Sequence, residues 1–153
     1  MKSPRRRARE FALQGLYQWQ LSGNALPEIE AHLATTPGFG KMDAALFELL
    51  LRGAIEEAED LQALIEPQLD RPYAGLSPVE RAILLLAAFE LKRHAAAPGK
   101  VVINEAIELA KSYGGTDGHK YVNGVLDKLA AVMRPAEVAR PGGVRKPRKK
   151  EET

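Results

Sequence analysis

The 153-residue chain contains no cysteine, which excludes disulfides, thiolate metal ligands and a cysteine nucleophile. Its histidines are few and scattered: His32, His94 and His119 form no HExxH or paired spacing, so no metal site and no cofactor are expected. Long apolar runs are missing as well. The longest, Ala82 to Leu91, is too short to cross a bilayer. The basic start is not followed by an apolar signal region, because Gln14, Gln18 and Gln20 interrupt it. These absences lead to the expectation of a cytoplasmic protein with no membrane partner. Catalytic signatures are lacking too, with no GxSxG, no Walker phosphate loop and no GxGxxG after a strand. The turn GGTDGHK lacks the GK[ST] spacing and follows a helix, and the acids Glu56, Glu57, Glu59 and Asp60 read as a solvated helix face. No catalytic residue is assigned, and an enzyme is not expected.

What is present is helical periodicity. Between Val102 and Leu129, Ile103, Ala106, Ile107, Ala110 and Tyr113 form one apolar stripe, and Val122, Val125, Leu126, Leu129 and Val132 form a second. Gly114 stands between them as a left-handed stop, and Thr116 or Asp117 is placed to cap the following helix. Backbone N–H groups at that start, with Lys120, could receive a phosphate. Ser3-Pro4 opens a first helix to about Leu21, Pro27 to Thr35 suggests a short one, and Asp43 caps a long one running to Pro67. Ser77-Pro78 with Glu80 opens a helix that is apolar nearly all round from Ile83 to Leu91, apart from Glu90, and belongs at the centre. The expected fold is all-α: two small helical bundles packed into one compact domain, with about six to seven helices. Residues 1–133 form that domain. Residues 134–153, rich in Pro, Gly, Lys and Arg, read as a disordered basic tail.

Charge is unevenly placed. Residues 1–10 carry +4 and residues 134–153 carry +4, so a chain with net charge +2 has a body of −6. On the first helix, Ala8, Phe11, Ala12, Gly15, Leu16 and Trp19 gather on one side, with Arg6, Arg9, Leu13 and Tyr17 roughly opposite. Cations at a helix N-terminus oppose the macrodipole, at about 0.3–1 kcal/mol each. Arg5, Arg6, Arg7 and Arg9 therefore read as a phosphate-binding patch, and Leu13 with Tyr17 as a second contact surface. Truncating Arg6 and Arg9 together would then weaken RNA binding and leave stability unchanged or slightly higher.

The segments RRRAREFALQGLYQWQL, VERAILLLAAFEL and INEAIELAKSYGGTDGHKYVNGVLDKL carry a resemblance to the NusB family of transcription antitermination factors. The similarity extends from about residue 5 to residue 133. It implies a helical fold and a role without catalysis. The expected partners are the boxA element of nascent RNA, the ribosomal protein NusE and, indirectly, other Nus factors and RNA polymerase, with readthrough in ribosomal RNA operons as the outcome. By the same resemblance, Arg5, Arg6, Arg7, Arg9, Tyr17, Lys120 and Tyr121 are RNA-binding candidates, while Leu13, Glu80 and Asp117 are partner-binding candidates. The turn is expected to present Asp117, Lys120 and Tyr121 toward the arginine face. Leu13 and Tyr17 would also suit a homodimer, or a helical adaptor that binds protein and no RNA. The helical module also resembles the N-terminal domain of a ribosomal RNA cytosine methyltransferase family, but with no cysteine that chemistry is not expected.

Overall fold

Ser3 begins the first helix, its side-chain oxygen accepting the Arg6 N–H at 3.1 Å, and Gly23 ends it in the left-handed region at φ 71°. This helix, α1 (Pro4–Ser22), is followed by α2 (Leu26–Leu33), α3 (Ala44–Glu56), α4 (Ala58–Ile65), α5 (Pro78–Arg93), α6 (Gly99–Tyr113), α7 (Gly118–Met133) and α8 (Pro135–Ala139). The computed structural model describes residues 2–115 and 117–139, and every regular element among them is helical. Asp43 caps α3 through the Leu46 N–H at 3.0 Å. Ser77 and Glu80 form a reciprocal capping box at the start of α5, each side chain accepting the other's backbone N–H at 3.1 Å.

As its all-round apolar sequence requires, α5 is the axis. Every residue from Ala82 to Leu91 is buried, and α1, α3, α4, α6 and α7 all pack against it. α6 and α7 form an antiparallel pair on one side; α1 and α3 pack closely on the other. The two helix groups share α5, so their buried side chains merge into one connected core. At Gly53 of α3, a Cβ would lie 2.2 Å from the Phe89 ring of α5, so only glycine allows these two helices to approach so closely.

Four features depart from the sequence reading. The helix expected from Asp43 to Pro67 breaks at Glu57 (φ −105°, ψ 16°), giving eight α-helices among the described residues. No Pro or Gly marks the break and the apolar stripe continues through it, with Leu61 and Ile65 still fully buried. Glu57 is also not simply a solvated acid: its carboxylate accepts from Lys92 Nζ at 2.8 Å and Arg93 Nε at 2.9 Å, tying the break to the end of α5. Gly114 is extended (φ −88°, ψ 179°) rather than left-handed. Glycine is needed there because a Cβ would meet the Ala110 carbonyl oxygen at 2.7 Å. Asp117 makes no side-chain cap on α7, and Thr116 lies outside the described residues.

The last departure concerns the boundary at residue 134. Arg134 is buried, and its guanidinium donates to the carbonyl oxygens of Glu90, Leu91, His94 and Ala97 at 2.6–3.0 Å and to Glu137 at 3.0 Å. The carbonyls of Glu90 and Leu91 belong to the last turn of α5, and those of His94 and Ala97 to the turn after it, so Arg134 ties the end of α5 and the following turn to the start of α8. The basic cluster expected to form a disordered tail, from Arg145 onward, lies outside the described residues.

Candidate nucleic-acid interface

Ser3 and the first turns of α1 face the start of α6 across an open cleft of about 370 Å³, lined by Arg5, Arg6, Arg9, Val101 and Glu105. Arg6 makes a two-pronged pair with Glu105, Nε to Oε1 at 3.1 Å and Nη2 to Oε2 at 2.8 Å. The hydrogen bond from Arg6 holds the Glu105 carboxyl below its ordinary pKa against the opposing effect of burial. Arg6 Nη1 takes no part in that pair. Arg5 is 3.6 Å from Asp43 Oδ2 and half exposed. Arg7 has no ion-pair partner among the described residues. Cations therefore exceed anions at this end of α1, and a phosphate would meet donors already held in position.

Arg9 does not belong with them. Its side chain is 4% exposed, and both its donors meet Glu90 of α5, Nε to Oε2 and Nη2 to Oε1, each at 2.9 Å. Leu13, expected on the outer face, is likewise 3% exposed. The helical wheel placed both outside because it allowed α1 one contact face. α1 instead packs between α3 and α5 with Glu105 of α6 close by, so its buried arc is wider. A buried cation requires a counter-ion, and the one acid interrupting the apolar run of α5, Glu90, supplies it. Glu90, the single acid interrupting the apolar run of α5, was the available signal for this pair.

Farther along α1, Tyr17 is 40% exposed, as its place on the wheel indicates. With Tyr113, at the end of α6 and 41% exposed, it borders an apolar groove of about 340 Å³. Leu13, Leu33 and Val79 also line this groove, along with Gln14, Gln18 and His32. Eleven residues of helix separate Arg6 from Tyr17, or about 16 Å at ~1.5 Å per residue. Because α6 carries Glu105 beside Arg6 and Tyr113 beside Tyr17, cleft and groove occupy successive positions on the same pair of helices.

The turn before α7 lies at the groove end. Gln20 of α1 donates to the Pro78 carbonyl at 2.9 Å, and Glu80, one turn into α5, approaches Gly118. Asp117, Lys120 and Tyr121 therefore do not face the arginines as expected; they sit beyond Tyr113, which ends α6 eight residues after Glu105. Lys120 and Asp117 are both well exposed, 3.5 Å apart. Glu80 is half-buried and occupied by its cap. One face of the half-buried Tyr121 ring is covered by the Arg71 guanidinium at 4.1 Å, and its hydroxyl is buried beside Asp70, which pushes the phenol pKa up. Tyr121 therefore has at most one free face for stacking. Among the described residues no group of His, Cys, Asp or Glu could hold a metal ion, and no helix is long and apolar enough to cross a membrane.

An all-helical fold built around α5, with cationic and aromatic surfaces in series on α1, defines a helical binding protein whose site is a surface and not an enclosed catalytic pocket. The chain belongs to the NusB family, whose model matches residues 6–131. It is 60% identical over 138 residues to the transcription antitermination protein NusB of Aromatoleum aromaticum, covering 90% of this chain and 95% of that protein. Against the protein of the same name from Ralstonia nicotianae it is 61% identical over 138 residues, covering 90% and 89%. The solved structure of T. maritima NusB superposes with a TM-score of 0.74 at 34% identity, over 85% of this chain and 92% of that one. A structure of antitermination factors NusB and NusE in complex with double-stranded RNA gives a TM-score of 0.78 at 28% identity, over 86% and 99%.

Proposed function

We propose that this chain is a transcription antitermination factor of the cytoplasm that works by binding alone. It holds boxA-type RNA together with the ribosomal protein NusE, and through that complex it acts on RNA polymerase and the other Nus factors in ribosomal RNA operons. The observation that carries this reading is the arrangement of α1, where a cleft of pre-positioned arginines is followed by an aromatic groove. Cations on phosphates and aromatics under bases are how single-stranded RNA is held. Arg5, Arg6 and Arg7 supply the phosphate contacts, Tyr17 a stacking surface, and Lys120 a further cation past the groove. Arg9 is left out of direct contact and serves as the internal partner of Glu90. Exposed Asp117, on an acidic body, suits a basic ribosomal protein, and Glu80 orders the adjoining turn.

The test is a titration of labelled boxA RNA, with and without NusE, at several salt concentrations. The expected result is affinity that falls as salt rises, with a slope reduced by about one unit when Arg5 or Arg6 is replaced by alanine. Absence of any salt-sensitive RNA signal, even with NusE present, would favour a protein-only adaptor or a homodimer using the Tyr17 face.

A further inference from the structure

The short helix α8 is fastened at the start of α6. Glu137 accepts the Gly99 N–H at 2.8 Å, which supplies a cap that Pro98, the residue before α6, does not provide. Arg134 holds the other end of α8 to α5, and Val138 packs against the core. Gly99 is followed on α6 by exposed Lys100 and then by Val101, which lines the arginine cleft. Because α8 ends at Ala139, two residues past Glu137, the chain departs within roughly 20 Å of the cleft wall. Six residues after Ala139 begins RKPRKK, Arg145 to Lys150, with five cations in six positions. Six residues of extended chain reach about 20 Å, so these cations have the reach to meet a strand held in the cleft.

We infer that Arg145, Lys146, Arg148, Lys149 and Lys150 form a second RNA contact, which binds phosphates without reading bases and takes the part of the strand beyond the arginine cleft, on the side away from Tyr17. The inference rests on the RNA-binding reading above and adds a direction to it. Position supplies the direction: along α6, the first turn with Lys100 and Val101 comes before Glu105, and Tyr113 ends the helix. Charge supplies the partner. Among the described residues, the acids around the departure point are already engaged, Glu137 by Arg134, Glu105 by Arg6 and Glu90 by Arg9, so the anion for this segment comes from outside the fold. A strand entering the cleft brings one phosphate with every nucleotide. Residues 140–153 include no aromatic side chain, so the segment holds phosphates and offers bases no ring to stack on.

The test compares the full chain with a full-length variant in which all five cations are replaced by glutamine. The probes are boxA RNA alone and the same RNA extended by an oligouridine tract at one end or at the other. Only one of the two extensions should tighten binding by the parent, an oligoadenosine tract there should serve equally well, and the variant should show no such gain. On that extended RNA the variant's salt slope should be shallower by about 2 to 3.5, at ~0.7 for each of three to five phosphate contacts. Between about 50 and 200 mM salt the parent should then lose roughly 20- to 130-fold more affinity than the variant. Lys100→Gln should remove about one contact, or ~0.7 of slope. Parent and variant with the same affinity and slope on every RNA would overturn the second contact, and equal gains from both extensions would overturn its place beside the cleft. Tighter RNA binding by the variant would assign the segment to the acidic body of the chain, and a loss confined to anionic lipid vesicles would assign it to a membrane; either result overturns the inference. A variant that keeps salt-sensitive binding to the unextended RNA leaves the RNA reading intact, whereas failure of the parent to bind boxA RNA at any salt, even with NusE, would remove that reading itself.

Discussion

Replacing Arg9 with alanine separates the two arginines that the sequence groups together. In the folded chain the change removes both donors from a Glu90 carboxylate that is 3% exposed, leaving it one side-chain neighbour, His94 Nδ1 at 3.1 Å. Removing one partner of such a pair costs about 3–5 kcal/mol, because the remaining charge stays buried without compensation. Total stability for a domain is about 5–15 kcal/mol, and about 2–4 °C of melting temperature accompanies each kcal/mol at this chain length. The expected fall is therefore roughly 6–20 °C, measured by far-UV circular dichroism with urea unfolding for the free energy. Arg6→Ala provides the contrast. Its pair with Glu105 is 42% exposed on the arginine side, so the stability cost should stay below about 1 kcal/mol while RNA affinity drops. Replacing the buried pair with apolar residues, Arg9→Met with Glu90→Leu, should recover most of the loss. An Arg9→Ala protein within 1 kcal/mol of the parent would refute the buried-pair reasoning.

Three further outcomes are expected. Arg134→Ala should lower stability by roughly 3 kcal/mol by freeing the carbonyls that end α5, and hydrogen exchange should accelerate at that end of α5 before anywhere else in the helix. Gly53→Ala should destabilise by about 1–3 kcal/mol through overpacking against Phe89, with Phe89→Leu partly relieving it in a double-mutant cycle. Glu105 and Glu57 are held below the ordinary carboxylate value of 4.5, chiefly by hydrogen bonds from Arg6 and from Arg93. Their contribution is therefore complete above pH 4.5 and is lost as pH falls through their lowered values. Glu105→Gln should make the acid limb of a stability–pH curve shallower, and an unchanged limb would show that Arg6 does not hold the carboxylate in solution.

Most of the helices were legible because period, caps and apolar faces agreed. Ser3, Asp43 and Ser77 cap the helices they were expected to cap, and α5 is buried because its sequence offers no polar side. What one helix cannot show is how many neighbours it will have. α1 carries a core stripe and an apparently outer face, and only the approach of α5 and α6 reveals that Arg9 and Leu13 lie on a second buried arc. The break at Glu57 was hidden for a related reason: no Gly or Pro interrupts the stripe, and the ion pairs that fix it come from residues more than thirty positions away. Arg134 looked like the start of a tail because its neighbours in sequence are Pro and basic residues, yet its partners are the carbonyl ends of another helix. Of the surface candidates, Arg5, Arg6, Tyr17, Asp117 and Lys120 are accessible as expected. The distance between the arginines and the α7 turn depends on which way α6 runs along α1, and periodicity carries no such information.

Because α1 is pinned to α5 at two places, by Arg9 to Glu90 and by Gln20 to the Pro78 carbonyl, the interval from the arginine cleft to the Tyr17 groove cannot stretch. A bound strand would thus be measured as well as held, and its register counted from the first phosphate. A single residue inserted between Arg9 and Tyr17 would turn Tyr17 about 100° around α1 relative to Arg6, away from Leu33, Val79 and Tyr113, with every binding side chain still present in the chain. The molecule would keep its full set of binding groups and lose the scale on which they are set.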